Sequence, residues 1–308
     1  MSETWTIGRL LQWTADFLKK QGSDTPRLDA EVLLAHCRNC QRIMLYTAFD
    51  EVASDELRNQ YRELVKQRAA GRPVAYLVGK REFYSLPFLV TPDVLIPRPE
   101  TEFLVVKALD ILKERSAALA ESGQPGEPAA VADVGTGSGI IAITIAKHAP
   151  PLMLNGIRAP GADVTAIDNS PAALEIARQN AASLGVAERV TFVEGDLLAG
   201  FDDRPRWDLV LSNPPYISEP EYAALDKTVR DYEPRGALVG GPTGTEIISR
   251  LIPQAAAQLK PGGWFLCEIS PMIEEAVLEL LRQEPSLETQ PTVKDLAQLA
   301  RVVVARKG

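Results

Sequence analysis

Short apolar segments alternate with amphipathic helices from Ala129 to the end of the chain, and this alternation constrains the fold more than any other feature. The predicted strands are Ala130–Val134, Val164–Ile167, Val190–Val193, Leu209–Leu211 and Trp264–Ile269. The predicted helices between them include Ile140–His148, Pro171–Leu184 and Thr245–Leu259. This order predicts an α/β fold with a parallel sheet wrapped by helices. Thr292–Lys294 and Arg301–Arg306 are expected to add an antiparallel hairpin at the edge, giving a mostly parallel, seven-stranded sheet.

The first seventy or so residues carry a helical pattern instead. Four helices are predicted, running from Ile7 to Leu18, from Pro26, from Ile43 to Phe49 and from Ser54 to Gly71. Prolines then interrupt an apolar run, which is typical of a short hairpin or linker. A helix from about Pro99 to Arg115 is predicted next, followed by an exposed Gly/Pro-rich loop at Glu121–Pro128. We therefore predict a small helical bundle domain at residues 1–78, a β-hairpin linker at 79–98 and the α/β domain at 99–308.

The charge of the chain argues against a nucleic-acid partner. It has 33 basic and 41 acidic residues among 308, a formal net charge of -8. Proteins that grip DNA or RNA by its phosphates usually present a basic face. No direct nucleic-acid contact is therefore expected.

The chain shows no membrane or secretion signal. The N-terminus has no basic segment followed by an apolar run, and no apolar stretch approaches the ~20 residues that cross a bilayer. Three cysteines are too few for a disulfide framework, so we expect a cytoplasmic protein without membrane attachment. His36, Cys37 and Cys40 have the spacing of half a zinc site, but no second pair of ligands exists, and no metal is expected.

A strand, a glycine-rich turn and a helix start follow one another at Val131–Ile141. Dinucleotide sites use G-x-G-x-x-G to hold a pyrophosphate at a helix N-terminus. Here the third glycine comes one position early, and Asp133 precedes the first glycine by two residues. That arrangement suits a cationic ligand without phosphates, and we predict S-adenosylmethionine (SAM), with S-adenosylhomocysteine as product. The loop residues expected to bind it are Gly135, Thr136, Gly137, Ser138 and Gly139.

Acids at the next two strand ends support this prediction. Asp168, followed by Asn169, is placed to accept hydrogen bonds from the two ribose hydroxyls. Asp168 could instead cap the next helix, but Ser170 already serves that purpose. Asp196 is expected to receive the adenine amino group while Leu197 covers the ring.

The fourth strand runs into Asn213-Pro214-Pro215-Tyr216, which predicts the acceptor site. The two prolines fix the backbone and leave the Pro214 carbonyl free to point into the site. The Asn213 side-chain oxygen and that carbonyl are expected to accept both hydrogens of a planar NH2 group, and Tyr216 to supply an aromatic face. We predict catalytic roles for Asn213, Pro214 and Tyr216. The sulfonium methyl is already activated, so alignment rather than a strong base is the main requirement.

These residues resemble a known family. The motif Asn213–Tyr216, together with Gly71–Gly79, Arg81–Tyr84, Leu95–Glu102 and Arg301–Arg306, is similar to the HemK-type release factor glutamine methyltransferases. The resemblance implies a Rossmann-like SAM-dependent methyltransferase that modifies the side-chain amide nitrogen (N5) of the glutamine in the Gly-Gly-Gln loop of peptide-chain release factors. It also implies that Asn213 contacts SAM, that Asn213, Pro214, Pro215 and Tyr216 hold the glutamine, and that the helical domain recognises the release factor.

The chain departs from the family pattern at three places. Glu268-Ile269-Ser270 stands where Glu-x-Gly is common, and Leu197 stands where an aromatic residue is frequent. The link from Pro151 to Gly161 is longer than usual.

Two other functions are compatible with the same motifs. A DNA or RNA adenine N6-methyltransferase would use the Asn213–Tyr216 clamp on a flipped base, but would be expected to carry a basic target-reading domain. A SAM-binding regulator without catalysis would not need the acceptor clamp.

Overall fold

The computed structural model describes residues 4–122, 126–149, 152–154, 157–159, 161–201 and 204–308. The chain divides into two compact units, which we describe separately. The first comprises residues 1–80 and 226–232, and the second comprises residues 81–225 and 233–308. Residues 226–232 thus belong with the helical unit, although the sequence predicts them within the α/β domain.

The helices, in chain order, are α1 (Ile7–Lys20), α2 (Pro26–Cys37), α3 (Met44–Thr47), α4 (Asp55–Ala69), α5 (Val74–Val78), α6 (Thr101–Ser122), α7 (Ile140–His148), α8 (Pro171–Ser183), α9 (Glu219–Ala224), α10 (Lys227–Arg230), α11 (Glu246–Gln258) and α12 (Glu274–Arg282).

The strands are β1 (Lys80–Phe83), β2 (Leu86–Leu89), β3 (Ala129–Val134), β4 (Leu152–Leu154), β5 (Ile157–Ala159), β6 (Ala162–Asp168), β7 (Val190–Glu194), β8 (Trp207–Ser212), β9 (Ile217–Ser218), β10 (Val239–Gly241), β11 (Leu259–Glu268), β12 (Leu287–Lys294) and β13 (Ala300–Lys307).

The helical unit packs around an apolar core from α1, α2 and α4. Ser54 caps α4 by accepting a hydrogen bond from the Leu57 N–H, as the helix-start pattern predicts. A buried ion pair joins Asp29 on α2 to Arg68 on α4 at 2.7 Å. The late segment of this unit is attached by Tyr232, whose hydroxyl donates to the Ala70 carbonyl at 3.0 Å.

The second unit is built on a seven-stranded sheet in the order β12-β13-β11-β8-β3-β6-β7. The five strands from β11 to β7 run parallel, while β12 and β13 are antiparallel at one edge. One face packs on α6, α7 and α8, and the other packs on α11 and α12. The predicted fold class, including the antiparallel C-terminal hairpin, is confirmed.

Some elements differ from the sequence prediction. The helix predicted to end near Arg115 continues to Ser122, since the following Ser-Ala-Ala-Leu-Ala run consists largely of good helix formers. β1 and β2 pair as a hairpin within the predicted linker, whereas α5, α9, α10 and α12 have no predicted counterpart. The long link before β6 contains the antiparallel pair β4 and β5. The exposed loop predicted at Glu121–Pro128 lies partly outside the described residues.

Candidate active site

A cavity of about 360 Å³ opens in the second unit at the carboxyl ends of β3, β6, β7 and β8. The chain runs from β3 outward through β6 and β7, and then crosses to β8 on the other side of β3. Open α/β sheets bind ligands at such a switch point, outside the carboxyl ends of the strands. The predicted residues that line the cavity are Gly135, Thr136, Gly137, Ser138, Asp168, Asn169, Asp196, Leu197, Asn213 and Pro215.

The glycine-rich loop is held from beneath by Asp133, which is fully buried. One carboxylate oxygen, Oδ2, accepts hydrogen bonds from the Thr136 hydroxyl at 2.6 Å and the Ala142 N–H at 3.0 Å. The other oxygen, Oδ1, is buried without a partner among the described residues. Burial raises the pKa of Asp133 to about 7. Asp133 therefore braces the loop and the start of α7 and does not line the cavity.

The third glycine of the loop also has a structural role. Gly139 has φ +84°, and a Cβ there would approach the Ile143 Cδ1 to 2.7 Å and the Ala177 Cβ to 3.1 Å. Unlike the other loop residues, it is not among those that line the cavity. Its position allows α7 to pack closely on α8, so the sequence prediction of ligand contact at Gly139 has no support in the cavity geometry.

Asn180 on α8 is a buried residue that the sequence reasoning missed. Its Oδ1 accepts from the Leu89 N–H at 2.7 Å, and its Nδ2 donates to the Leu89 and Ser138 carbonyls. One side chain thus joins the hairpin and α8 to the glycine-rich loop. An asparagine in a helical pattern gives no sequence signal for such a contact.

Asp168 lies at the end of β6 and is partly committed to the loop. Its Oδ2 accepts from the Gly137 N–H at 2.8 Å, and its Oδ1 accepts from the Ser170 N–H at 2.9 Å. Burial raises the pKa of this carboxyl, and the backbone hydrogen bonds oppose that rise. An ionised carboxylate has about four acceptor positions, so capacity for further donors is left. Ser170 caps α8, as predicted.

The end of β7 contributes Asp196 and Leu197 to the same cavity. The Asp196 carboxylate forms an exposed ion pair with Arg250 of α11. Leu197 has φ +57°, a conformation that costs a residue with a Cβ about 1–2 kcal/mol. Strained residues of this kind cluster at ligand sites.

Asn213 reaches the cavity from the end of β8, and its side chain is fixed by a buried threonine. The Asn213 Nδ2 donates to the Thr101 hydroxyl at 3.0 Å, so its Oδ1 is the end left to accept. The loop that follows is held by close backbone approach. A Cβ at Gly240 would lie 2.4 Å from the Pro215 carbonyl oxygen, and one at Gly244 would lie 2.4 Å from that of Tyr216.

Pro214 and Tyr216 are not among the residues that line the cavity. Pro214 is buried, and the orientation of its carbonyl stays a prediction. The Tyr216 hydroxyl donates to the Glu268 Oε1 at 3.3 Å, and burial raises the pKa of Tyr216. The phenol is therefore anchored to the end of β11, whereas an aromatic face toward an acceptor remains a prediction.

A segment before α6 forms another wall of the cavity, through Asp93, Val94, Leu95, Pro97 and Arg98. Arg98 pairs at 2.5 Å with Glu233, which also accepts from the Ile96 N–H at 3.1 Å. The sequence predicts this segment as part of the linker and uses it for the family resemblance, but assigns it no place in the site. In the sequence Arg98 stands out only as an arginine between two prolines. Its partner, Glu233, lies 135 residues away and could not be identified from local pattern.

Two further observations bear on the kind of site. Within the described ranges, no group of three or more His, Cys, Asp or Glu side chains is placed to hold a metal ion. In the same part of the chain, no helix is both long and apolar enough to cross a membrane.

Comparison with known proteins agrees with this geometry. Residues 9–79 match the PrmC N-terminal domain, and residues 127–301 match a methyltransferase domain. The chain is 48% identical to the release factor glutamine methyltransferase of Rhodopirellula baltica, over 99% of this chain and 97% of that protein. It is 38% identical to the one from Geobacter sulfurreducens, over 99% and 98%. The solved hMettl16 catalytic domain, in complex with the MAT2A 3′UTR hairpin 6, is 15% identical with a TM-score of 0.52, covering 79% and 81%, and shares the fold alone.

The sheet, the loop after β3 and the domain match place the protein among the methyltransferases. Identity at this level over almost the full length then fixes the family: the chain belongs to the release factor glutamine methyltransferases.

Proposed function

We propose that this enzyme transfers a methyl group from SAM to the side-chain amide nitrogen of the glutamine in the Gly-Gly-Gln motif of peptide-chain release factors. The observation that carries the proposal is the fixed amide of Asn213. Because its Nδ2 is taken by Thr101, its Oδ1 is available to accept a hydrogen bond from a substrate NH2. A glutamine amide presents two such hydrogens on a planar nitrogen.

The cavity fits SAM in the chemistry of its lining. The loop Gly135–Ser138 would pass along the methionine part, Asp168 with Asn169 would receive the ribose hydroxyls, and Asp196 with Leu197 would meet the adenine. When bound, SAM supplies a methyl group already activated by positive charge, and S-adenosylhomocysteine is the product.

The residues of the acceptor motif would act by alignment. Asn213 and the Pro214 carbonyl would hold both amide hydrogens, with Pro215 at the cavity wall and Tyr216 behind the loop. This leaves the nitrogen facing the methyl donor. Holding two reactants in a reactive geometry can contribute roughly 7–11 kcal/mol to the barrier reduction.

The partner and location complete the proposal. The family relatives are named for release factors, so a release factor is the proposed partner, recognised by the helical unit. The three cysteines form no disulfide, in keeping with a cytoplasmic location. The adenine methyltransferase alternative is not favoured, since the relatives at 38–48% identity carry the release factor name.

The direct test is methylation of purified release factor with SAM, read by mass spectrometry of the Gly-Gly-Gln peptide. We expect one methyl group on the glutamine. The Asn213→Ala variant should lower kcat on the order of 10²–10³-fold, because a preorganised polar contact to the transition state is lost. Its SAM affinity should stay near that of the wild type.

Asn213→Asp is the sharper comparison, since it keeps the shape and an acceptor oxygen while adding charge near the sulfonium. We expect equal or tighter SAM binding with impaired turnover. Wild-type rates in Asn213→Ala would refute the clamp, and methylation of DNA in place of release factor would support the adenine alternative.

A further inference from the structure

Helix α11 carries a row of three polar side chains that the proposed reaction does not use. Arg250, Gln254 and Gln258 are spaced four residues apart, and residues with this spacing lie one above another on a helix. Gln258 is buried, Gln254 is half-buried and Arg250 is exposed. All three contact the short turn after β7, so the row is directed at the end of the cavity where Asp196 and Leu197 lie.

Each side chain of the row holds a different group of that turn. The Arg250 guanidinium pairs with the Asp196 carboxylate. The Gln254 Oε1 accepts from the Leu198 N–H at 2.8 Å, and the Gln258 Nε2 donates to the Leu198 carbonyl at 3.1 Å. Both backbone groups of Leu198 are therefore fixed, as is the carboxylate two residues before it.

The turn requires support because its backbone does not suit its sequence. The Ala199 N–H donates to the Asp196 carbonyl at 3.1 Å, so residues 196–199 form a hydrogen-bonded turn with Leu197 at the second position. Leu197 has φ +57°, and turns with positive φ at this position favour Gly, Asn or Asp. A leucine is strained there, and hydrogen bonds from outside the turn oppose its relaxation to negative φ.

The conformation of this turn decides which side chains reach the cavity. Asp196 and Leu197 line the cavity, whereas the side chain of Leu198 is fully buried in the apolar core beneath α11. Successive side chains thus face in different directions. Rotation about the Leu197 backbone would move its side chain off the cavity wall.

We propose that Gln254 is a positioning residue of the cofactor site, which keeps Leu197 in place to cover the adenine ring of SAM. Arg250, in the same row, occupies the Oδ2 of Asp196, and an ionised carboxylate has further acceptor positions for the adenine amino group. This inference rests on the proposed placement of adenine at this end of the cavity.

A purely structural role of Gln254 predicts a different result. Leu198 is buried, and buried backbone groups need hydrogen-bond partners whether or not a ligand binds. Loss of the partner alone would lower the free energy of unfolding and leave the SAM affinity of the folded protein unchanged. Binding measured on the folded protein therefore distinguishes the two roles.

The test compares Gln254→Met and Gln254→Glu with the wild type. Methionine has a similar length but no acceptor oxygen, whereas glutamate keeps an oxygen for the Leu198 N–H. Calorimetry below the melting temperatures measures the binding of SAM and of 5′-methylthioadenosine, which has the adenine and ribose without the amino acid part. We expect Gln254→Met to bind both about tenfold more weakly, because a hydrogen bond to a buried group is lost. Gln254→Glu should bind both nearly as the wild type does.

Steady-state rates on release factor give a second measurement. In Gln254→Met the KM for SAM should rise, while kcat at saturating SAM should stay at the wild-type value because the acceptor motif at Asn213 is untouched. A general loosening of the fold would lower kcat as well.

Two further variants serve as checks. Gln254→Asn has an amide too short to reach the Leu198 N–H, and it should repeat the loss of affinity with a polar side chain. Gln179→Met is the matched control, since this exposed glutamine of α8 donates to the Glu175 carboxylate at 3.0 Å. It should bind SAM and 5′-methylthioadenosine as the wild type does.

The outcomes are separable. A wild type that neither binds SAM nor methylates release factor would overturn the proposed function. An active wild type, with Gln254→Met and Gln254→Asn both at its affinity for the two ligands, would overturn the positioning role alone. A loss of affinity that Gln254→Glu shares in full would also overturn it, since the acceptor oxygen would then not be the connection.

Discussion

Acids at the ends of adjacent strands have different roles here, and their environments explain the difference. Asp133 is fully buried, and the hydrogen bonds that it accepts come from the loop and from the start of α7. Asp168 lines the cavity, and its carboxylate can accept further hydrogen bonds. Asp196 is paired with Arg250 near solvent. A carboxylate is useful to a ligand only where it is both reachable and not fully satisfied.

Asp168 is accordingly the acid whose loss should weaken SAM binding most. Asp168→Ala removes the hydrogen bonds proposed for the ribose and loosens Gly137, and we expect a loss on the order of 1.5–3 kcal/mol in SAM binding by calorimetry. Asp163→Ala, at the exposed opposite end of the same strand, is the control and should bind SAM normally. Unchanged affinity in a folded Asp168→Ala protein would remove this residue from the site.

At the scale of elements, the turn from β3 to α7 combines ligand approach with helix packing. Gly135 and Gly139 both have positive φ, but the two positions differ in how much room there is for a side chain. A Cβ at Gly135 would meet nothing within 4 Å, whereas one at Gly139 would press on α7 and α8. The first glycine therefore keeps the cavity open, and the third permits the helices to pack.

Substitution of the two glycines should separate these roles. Gly139→Ala should lower the free energy of unfolding by roughly 2–4 kcal/mol, from left-handed strain and overpacking together. Gly135→Ala should lose only about 1–2 kcal/mol of stability, from strain alone, while weakening SAM binding. Denaturant titration measures the free energy of unfolding, and calorimetry measures the SAM affinity. Equal stability losses would show that packing on α8 does not constrain Gly139.

At the scale of the whole molecule, the proposed function assigns recognition of the release factor to the helical unit and methyl transfer to the second unit. The helical unit exposes several large apolar side chains: Trp13, Ile43, Met44, Tyr46 and Val52. A contiguous apolar patch of this kind would mark a surface that binds another protein. Residues 226–232 belong to this unit although the chain on both sides belongs to the catalytic one.

Removal of residues 1–75 should therefore abolish methylation of intact release factor while SAM binding persists. A short Gly-Gly-Gln peptide serves as the control substrate, because it requires only the catalytic unit. Since Tyr232 would lose its partner at Ala70, thermal melting should accompany the assay. Full activity of the truncated enzyme on intact release factor would show that the catalytic unit recognises it alone.

The sequence by itself determined most of the fold and the ligand-facing loops. Periodicity and turn chemistry are local, so β3, α7 and the glycine loop lie close to their predicted positions, with Gly135 and Gly137 on the cavity. The departure at Ser270 is explained in the same local terms. Ser270 has φ -73° and its side chain accepts from the Met272 N–H, so no glycine is required.

Only the tertiary structure decided which side chains support the site. Thr101 and Asn213 are 112 residues apart, and Tyr216 and Glu268 are 52 apart. No local pattern predicts such a pair, because each residue suits its own helix or strand and its partner is chosen by how the strands are ordered in the sheet. The sequence shows Glu268 only as an acid at the end of an apolar strand. The fold places it beside Tyr216, and only that contact connects it with the acceptor motif.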